Sequence, residues 1–237
     1  LVLLAARIDT LSPKPAEGRG LVSRESMFLL NNLLFAAFTF TVLIGTVYPL
    51  IHEALTEKKL SIGDPYFNEM GVPISICIVF LMGVGPALPW GSSASGDALR
   101  RLAVPAVTGL VSALAAFLLG AADPMPLLSF GCCGFALAMT LREFHEPAAA
   151  LRKRKGTSYP ASLLQVIRRA RRRFGGYVVH VGVIMVAVAV TGSSAYKKQS
   201  EFVLLTGESA SYHGYELAYL ESRSESQPHR SSQVAVL

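Results

Sequence analysis

Five long stretches of this chain carry no charged residue, and they constrain its fold more than any other feature. Ser26–Ile51 runs 26 residues without Asp, Glu, Lys or Arg, and Met70–Gly96 runs 27. Leu102–Ala122 gives 21, Pro124–Leu141 gives 18 and Phe174–Tyr196 gives 23. About 20 apolar helical residues cross the hydrocarbon core of a bilayer. Lipid offers the backbone no hydrogen bonds, so such segments satisfy themselves as helices. Of the 237 residues only 16% are charged, against roughly 25% in an ordinary soluble domain. The mean hydropathy is +0.43. These values exclude a soluble globular enzyme, a secreted disulfide scaffold and a disordered chain.

The pattern predicts an all-α polytopic membrane protein with five transmembrane helices and a small C-terminal extracytoplasmic β-rich domain, truncated. The membrane domain covers residues 7–196, with spans at about 27–50, 70–90, 103–121, 124–141 and 176–196. Leu1–Ala6 reads as the end of a truncated transmembrane helix. Residues 142–175 read as a basic cytoplasmic linker, within which Ser158–Phe174 is an amphipathic helix carrying Leu163, Ile167 and Phe174 on one face. Such a helix lies on an anionic membrane surface. In residues 197–237 the period shortens. Glu201–Leu205, Ser209–Tyr212 and Tyr215–Leu220 read as strands with tight turns between them, and Glu221–Ser232 as a polar loop. Alternation predicts Tyr215, Leu217 and Tyr219 on one buried face.

Basic residues set the orientation. Arg7–Ser26, Asp97–Arg101 and Arg142–Arg173 hold sixteen of the 22 Lys and Arg, and the alternate loops hold six. Lys and Arg near membrane ends stay cytoplasmic. The basic loops are therefore expected inside, with the 52–69 loop, the Asp123 turn and the C-terminal domain outside. Topology and lipid account for the net charge of +6. The basic run lacks aromatic interleaving, so nucleic acid is not an expected partner.

Local signals are mostly structural. Ser23 with Ser26 reads as a helix start, and Asp123–Pro124 as a cap followed by a Pro at the first helical position. Pro73 reads as an early position of the second span. Asn31 and Asn32 read as glue between helices. Trp90 reads as an interfacial anchor. Cys77, Cys132 and Cys133 lie within spans, form no C-x-x-C and read as packing residues. His52, His145, His213 and His229 fall in loops and read as solvated.

His180 differs. It lies inside the last span, in Gly175-Gly176-Tyr177-Val178-Val179-His180-Val181-Gly182. An imidazole at that depth needs a partner and marks a functional site by default. Neutral His is also a common axial ligand of haem iron. Gly176 and Gly182 remove side-chain bulk beside it. Haem ligation and a hydrogen bond across helices both stand open on these residues alone. His180 follows the Arg171–Arg173 run by about two turns, roughly 9 Å from the inner surface.

Several stretches taken together resemble a known family. They are Ser23-Arg24-Glu25-Ser26, Asn31-Asn32-Leu33-Leu34, Gly45-Thr46-Val47-Tyr48-Pro49-Leu50 and Pro65-Tyr66-Phe67-Asn68. The last-span motif around His180 and Gly192-Ser193-Ser194-Ala195-Tyr196 complete the set. The pattern is similar to the C-terminal half of CcmF-type cytochrome c maturation proteins, the haem lyase subunit. The resemblance implies covalent attachment of haem to apocytochrome c on the outer face of a bacterial inner membrane. It implies a haem chaperone, a thiol-reducing maturation subunit and the lipid bilayer as partners, and haem b as cofactor. It places His180 as one axial ligand of the haem iron, with Gly176, Gly182 and Tyr177 lining the site. The second ligand and a tryptophan-rich haem platform belong to other parts of such proteins, so no catalytic residue is expected here. The competing reading is a structural or transporter-like multi-pass subunit without haem. A transporter needs intramembrane carboxylates or lysines, and the five expected spans hold none.

Overall fold

A computed structural model describes residues 23–88, 96–197, 199–200, 202–212, 214–227 and 230–236, with backbone alone at 96–99, 223–227 and 230–236. Leu1–Ala6, Trp90, His213 and His229 lie outside the described residues. The chain divides into two compact units, Leu1–Tyr196 and Lys197–Leu237.

The first unit is helical, and among the described residues five helices are long and apolar enough to cross a membrane. Helix α1 is Arg24–Thr56. Ser23 caps it by accepting the Ser26 amide, which satisfies one of the orphan donors of a helix N-terminus. At 33 residues it is roughly 50 Å long and outruns its apolar stretch at both ends. His52 thus lies on a helix and not in a loop, with Nδ1 3.2 Å from the Thr56 hydroxyl.

Helix α2 is Asp64–Val84, continued by a 3-10 turn at Gly85–Ala87. It starts six residues before the expected span. Pro65, not Pro73, occupies its first turn, and Pro73 sits within the helix. Pro suits the first turn because that N–H has no intrahelical acceptor anyway. The early start has a packing reason. A Cβ on Gly45 of α1 would lie 2.7 Å from the rings of Tyr66 and Phe67, and the Tyr66 hydroxyl donates to the Thr41 carbonyl at 3.1 Å. Two separated motifs of the sequence therefore form one contact.

Helix α3 is Gly96–Leu118 and helix α4 is Pro124–Lys155. Asp123 stands at the N-cap of α4 without a side-chain hydrogen bond, and Pro124 and Pro126 flank the first turn. Helix α4 runs 14 residues beyond Leu141, so the first part of the expected linker continues the fourth span. Gly156 ends it at φ 66°, and Arg152–Lys155 fill its last turn. A left-handed glycine and cations at the carbonyl end both favour termination there. His145 accordingly lies on α4, 3.1 Å from the Tyr159 hydroxyl.

Helix α5 is Tyr159–Arg169 and helix α6 is Arg171–Ala195. The amphipathic helix expected over Ser158–Phe174 breaks at Ala170, whose φ of −130° and ψ of 49° leave the helical region. Phe174 belongs instead to α6, where it is buried against Phe144 of α4.

Helix α4 is the hub, packing on α2, α3, α5 and α6. Ile76 and Val79 of α2, Cys132, Cys133 and Ala136 of α4, and Ile184 of α6 form the core. Cys77 points outward. Leu29, Leu33, Leu110, Val178 and Met185 are among the many exposed apolar side chains, as expected of surfaces that meet acyl chains.

The described residues of the second unit form two hairpins. Strand β1 (Ser209–Tyr212) pairs antiparallel with β2 (Tyr215–Ala218), and β3 (Glu221–Gln227) with β4 (Arg230–Val236). The expected loop at Glu221–Ser232 is thus mostly strand. Ser-Arg-Ser-Glu-Ser alternates without apolar residues, and a hydrophobic period cannot detect a polar strand. Residues 202–205, expected in a strand, form none. The Leu205 amide instead donates to Glu208 Oε2 at 2.8 Å as the chain turns through Gly207, φ 91°. Tyr215 is 76% exposed, because it stands at the hairpin tip beside Gly214. Leu217 and Tyr219 are half-buried.

Candidate functional site

Three helices border a half-open cavity of about 470 Å³ within the membrane unit. Helix α1 contributes Arg24, Met27, Phe28, Asn31 and Phe35, spaced as a single helical stripe. Helix α2 contributes Ile78, Leu81, Met82 and the Gly85–Pro86 turn, and α6 contributes Tyr177, Val179, His180 and Val183. The size and the mainly apolar lining with few polar groups are those of a cofactor or small-molecule site.

His180 faces this cavity, and its Nδ1 is buried without a hydrogen-bond partner among the described residues. A buried unpaired nitrogen costs about 1–3 kcal/mol. Asn31 joins His180 in the lining, while Asn32 is exposed. The reading of the two Asn as a pair of interhelical glue residues therefore does not describe Asn32, and Asn31 belongs to the cavity.

Arg24 closes one end. Its Nε donates to the Gly85 carbonyl at 3.0 Å and its Nη2 to the Pro86 carbonyl at 2.5 Å. Gly85 and Pro86 end the α-helical run of α2 here, and the guanidinium takes up the Pro86 carbonyl and shares the Gly85 carbonyl with the Leu88 amide.

A buried carboxylate flanks the site. Glu143 of α4 is 7% exposed. Its Oε2 accepts from Arg173 Nη2 at 2.5 Å and from the Tyr177 hydroxyl at 2.7 Å. The Tyr177 ring then meets the His180 imidazole edge-on, with centroids 6.0 Å apart at 70°. Sequence reasoning missed Glu143, which stands two residues past the expected end of the fourth span. The signal for it was Arg173 and Tyr177, four residues apart on one helix face and able to reach one carboxylate.

Of the residues expected at the site, His180 and Tyr177 line the cavity. Gly176 lies one turn before His180 on the same face, and Gly182 lies about 200° round the helix from it. A Cβ at either glycine would meet nothing within 4 Å.

A haem fits this donor set. The cavity offers an imidazole and an apolar wall of Met, Phe, Leu and Val. That combination suits a flat apolar macrocycle with an iron centre.

The fold and site together define a class: a multi-pass helical membrane protein with an imidazole set against a cavity between its helices. Comparison with known proteins narrows it. The chain is 28% identical over 237 residues to cytochrome c-type biogenesis protein CcmF of Escherichia coli K12, covering all of this chain and 34% of that protein. It is 28% identical over 233 residues to CcmF of Pseudomonas aeruginosa, covering 98% of this chain and 34% of that protein. It is 39% identical to the probable cytochrome c-type biogenesis protein NrfE of Escherichia coli K12 over 61 residues, 26% of this chain and 11% of that protein. A solved structure described as Cytochrome c Heme Lyase CcmF matches with a TM-score of 0.58 and 29% identity, over 91% of this chain and 33% of that one. No family model matches. The chain is thus similar along its whole length to CcmF-type cytochrome c biogenesis proteins. It spans about a third of the length of the curated relatives it matches, not the half that its motifs suggested.

Proposed function

We propose that this chain is part of a cytochrome c haem lyase and that its His180 would hold the iron of an intramembrane b-type haem. The observation that carries the reading is the placement of His180, on an apolar helix, in the lining of a cavity sized for a cofactor. A helix-to-helix hydrogen bond, the competing role for this imidazole, is not made at Nδ1 among the described residues. The imidazole would hold the iron, and Gly176 would keep its side of α6 free of bulk. Tyr177 would border the imidazole. The apolar stripes of α1 and α2 would exclude water from the macrocycle. A haem bound there supplies one-electron chemistry, suited to keeping substrate haem iron reduced.

The lyase reaction itself joins the two vinyl groups of substrate haem to the cysteine thiols of a C-x-x-C-H motif in apocytochrome c. Each thiol adds across a vinyl double bond, so the step needs no net oxidant. Nothing in the described residues supplies a nucleophile–base pair for it, and this chain by itself is proposed to be inactive. Apocytochrome c, a haem chaperone and a thiol-reducing maturation subunit are the proposed partners. The proposed location is the bacterial inner membrane, with Arg142–Arg173 cytoplasmic and Lys197–Leu237 periplasmic. Reporter fusions at Lys155 should read as cytoplasmic and those at Gly63 and Gly214 as external. A cytoplasmic reading at Gly214 overturns that orientation.

The decisive experiment uses the full-length parent protein. His180→Ala is expected to abolish the bis-His b-haem spectrum and impair cytochrome c maturation, while His52→Ala leaves the spectrum intact. An unchanged Soret and α band in His180→Ala sinks the reading.

A further inference from the structure

We propose that Glu143 is a positioning residue for His180, acting through Tyr177. The inference rests on the reading of His180 as a haem ligand. A carboxylate taken out of water must be paired and hydrogen-bonded, and Glu143 has both a cation and a hydroxyl on the same oxygen. Those two donors come from one helix, α6, one turn apart. The carboxylate therefore fixes α6 against α4 in rotation as well as in distance. Tyr177 feels the constraint directly. Its hydroxyl is committed to Glu143, and Arg173 Nε also approaches that hydroxyl at 3.3 Å. Phe144 and Phe174 pack edge-on against its ring at 5.8 and 6.0 Å.

A tyrosine held at both its hydroxyl and its ring leaves one surface to the neighbouring imidazole. That contact is edge-to-face at 70°, a preferred arrangement for aromatic pairs. Because Tyr177 precedes His180 by three residues, the two side chains share a helix face. A ring that cannot rotate thus restricts the imidazole plane beside it. Charge adds a second effect. Glu143 offsets the Arg173 cation close to the site, so its neutralisation leaves extra positive charge near the iron. Positive charge favours the ferrous form.

The test compares Glu143→Gln, Glu143→Asp and Tyr177→Phe with wild type in the purified full-length parent. Haem content, the low-spin electron paramagnetic resonance spectrum of the oxidised haem and its midpoint potential are read. Glu143→Gln is expected to keep most of the haem, shift the largest g value and raise the potential. Glu143→Asp should bring both towards wild type. Tyr177→Phe keeps the charge but loses the anchor, so it should shift the g value with a smaller change in potential. A wild-type g value and potential in both Glu143→Gln and Tyr177→Phe overturns the proposal. If Glu143→Gln fails to accumulate, the same readouts on Glu143→Asp and Tyr177→Phe decide it. The two readings separate cleanly: haem retained in His180→Ala refutes the ligand, whereas haem lost there with unaltered Glu143 variants refutes only the positioning role.

Discussion

Glycines do opposite things on the two sides of α4. Where α3 and α2 meet it, they are filled. A Cβ on Gly109 would lie 2.7 Å from the Gly131 carbonyl oxygen, and one on Gly83 would lie 2.7 Å from the Phe135 ring and 3.0 Å from the Ala136 Cα. Along α6, Gly175, Gly176 and Gly182 have nothing within 4 Å among the described residues. Each helical glycine costs about 0.8–1.0 kcal/mol relative to alanine. In the α3–α4 seam that cost is offset by close backbone approach, the usual basis of helix association in lipid. At these three positions of α6 no contact among the described residues offsets it. Glycines near a ligand serve close approach of another surface, which agrees with the proposed haem beside Gly176.

The largest effect expected from this contrast is at the seam. Gly109→Leu drives a side chain into backbone, which cannot rotate away, and overpacking of this kind costs about 1–3 kcal/mol or more. Unfolding of the detergent-solubilised protein by denaturant should show the loss. Stability equal to wild type would mean that α3 and α4 are not in contact at this point.

Substitution on α6 should act the other way round. Gly176→Leu is expected to leave stability unchanged or raise it by up to about 1 kcal/mol, since leucine is the better helix former. In the full-length parent it should nevertheless lower haem content at least several-fold, because Gly176 shares the face of His180. Gly182→Leu, about 200° away, should leave haem content as in wild type. Equal loss from both variants would show that the glycines serve a neighbouring helix and not the face of the histidine.

The sequence makes the membrane unit legible and leaves much of the site hidden, for a physical reason. Span existence depends on length and apolarity alone, so five uncharged stretches suffice. His180 is legible because an ionisable residue in such a stretch is costly wherever it points. Glu143 is not. Beside Arg142 and Glu146 it reads as the start of a solvated linker, and indeed Arg142 and Glu146 do pair with each other at 2.5 Å. Its burial depends on α4 continuing to Lys155 and on α6 bringing Arg173 and Tyr177 against it. The Arg24 bond to the Gly85 carbonyl joins residues 61 positions apart and has no local trace. The contact of Gly45 with Tyr66 and Phe67 was visible only as two unconnected motifs.

The smallest effect tests whether the polar ties between α4 and α6 are of one kind. Besides the Glu143 cluster, Ser129 Oγ lies 2.7 Å from Thr191 Oγ1, towards the opposite end of the two helices. Ile184, 2% exposed, is buried between these ties. The hydroxyl pair differs from the carboxylate in what happens when it is broken. A serine or threonine in a helix can turn back to the carbonyl four residues earlier, as Thr41, Thr108, Ser112 and Thr140 do in this protein. Thr191 therefore keeps an acceptor when its partner is removed. Ser129→Ala is expected to lose about 0.6 kcal/mol, the average for hydrogen bonds between helices in a bilayer, with the haem spectrum and potential of the parent unchanged. Glu143 has no such retreat, because a carboxylate cannot donate to a backbone carbonyl. A shifted potential in Ser129→Ala would show that any loosening of α6 on α4 reaches the iron. The spectroscopic effects of Glu143 variants would then report general slack and not a specific path through Tyr177.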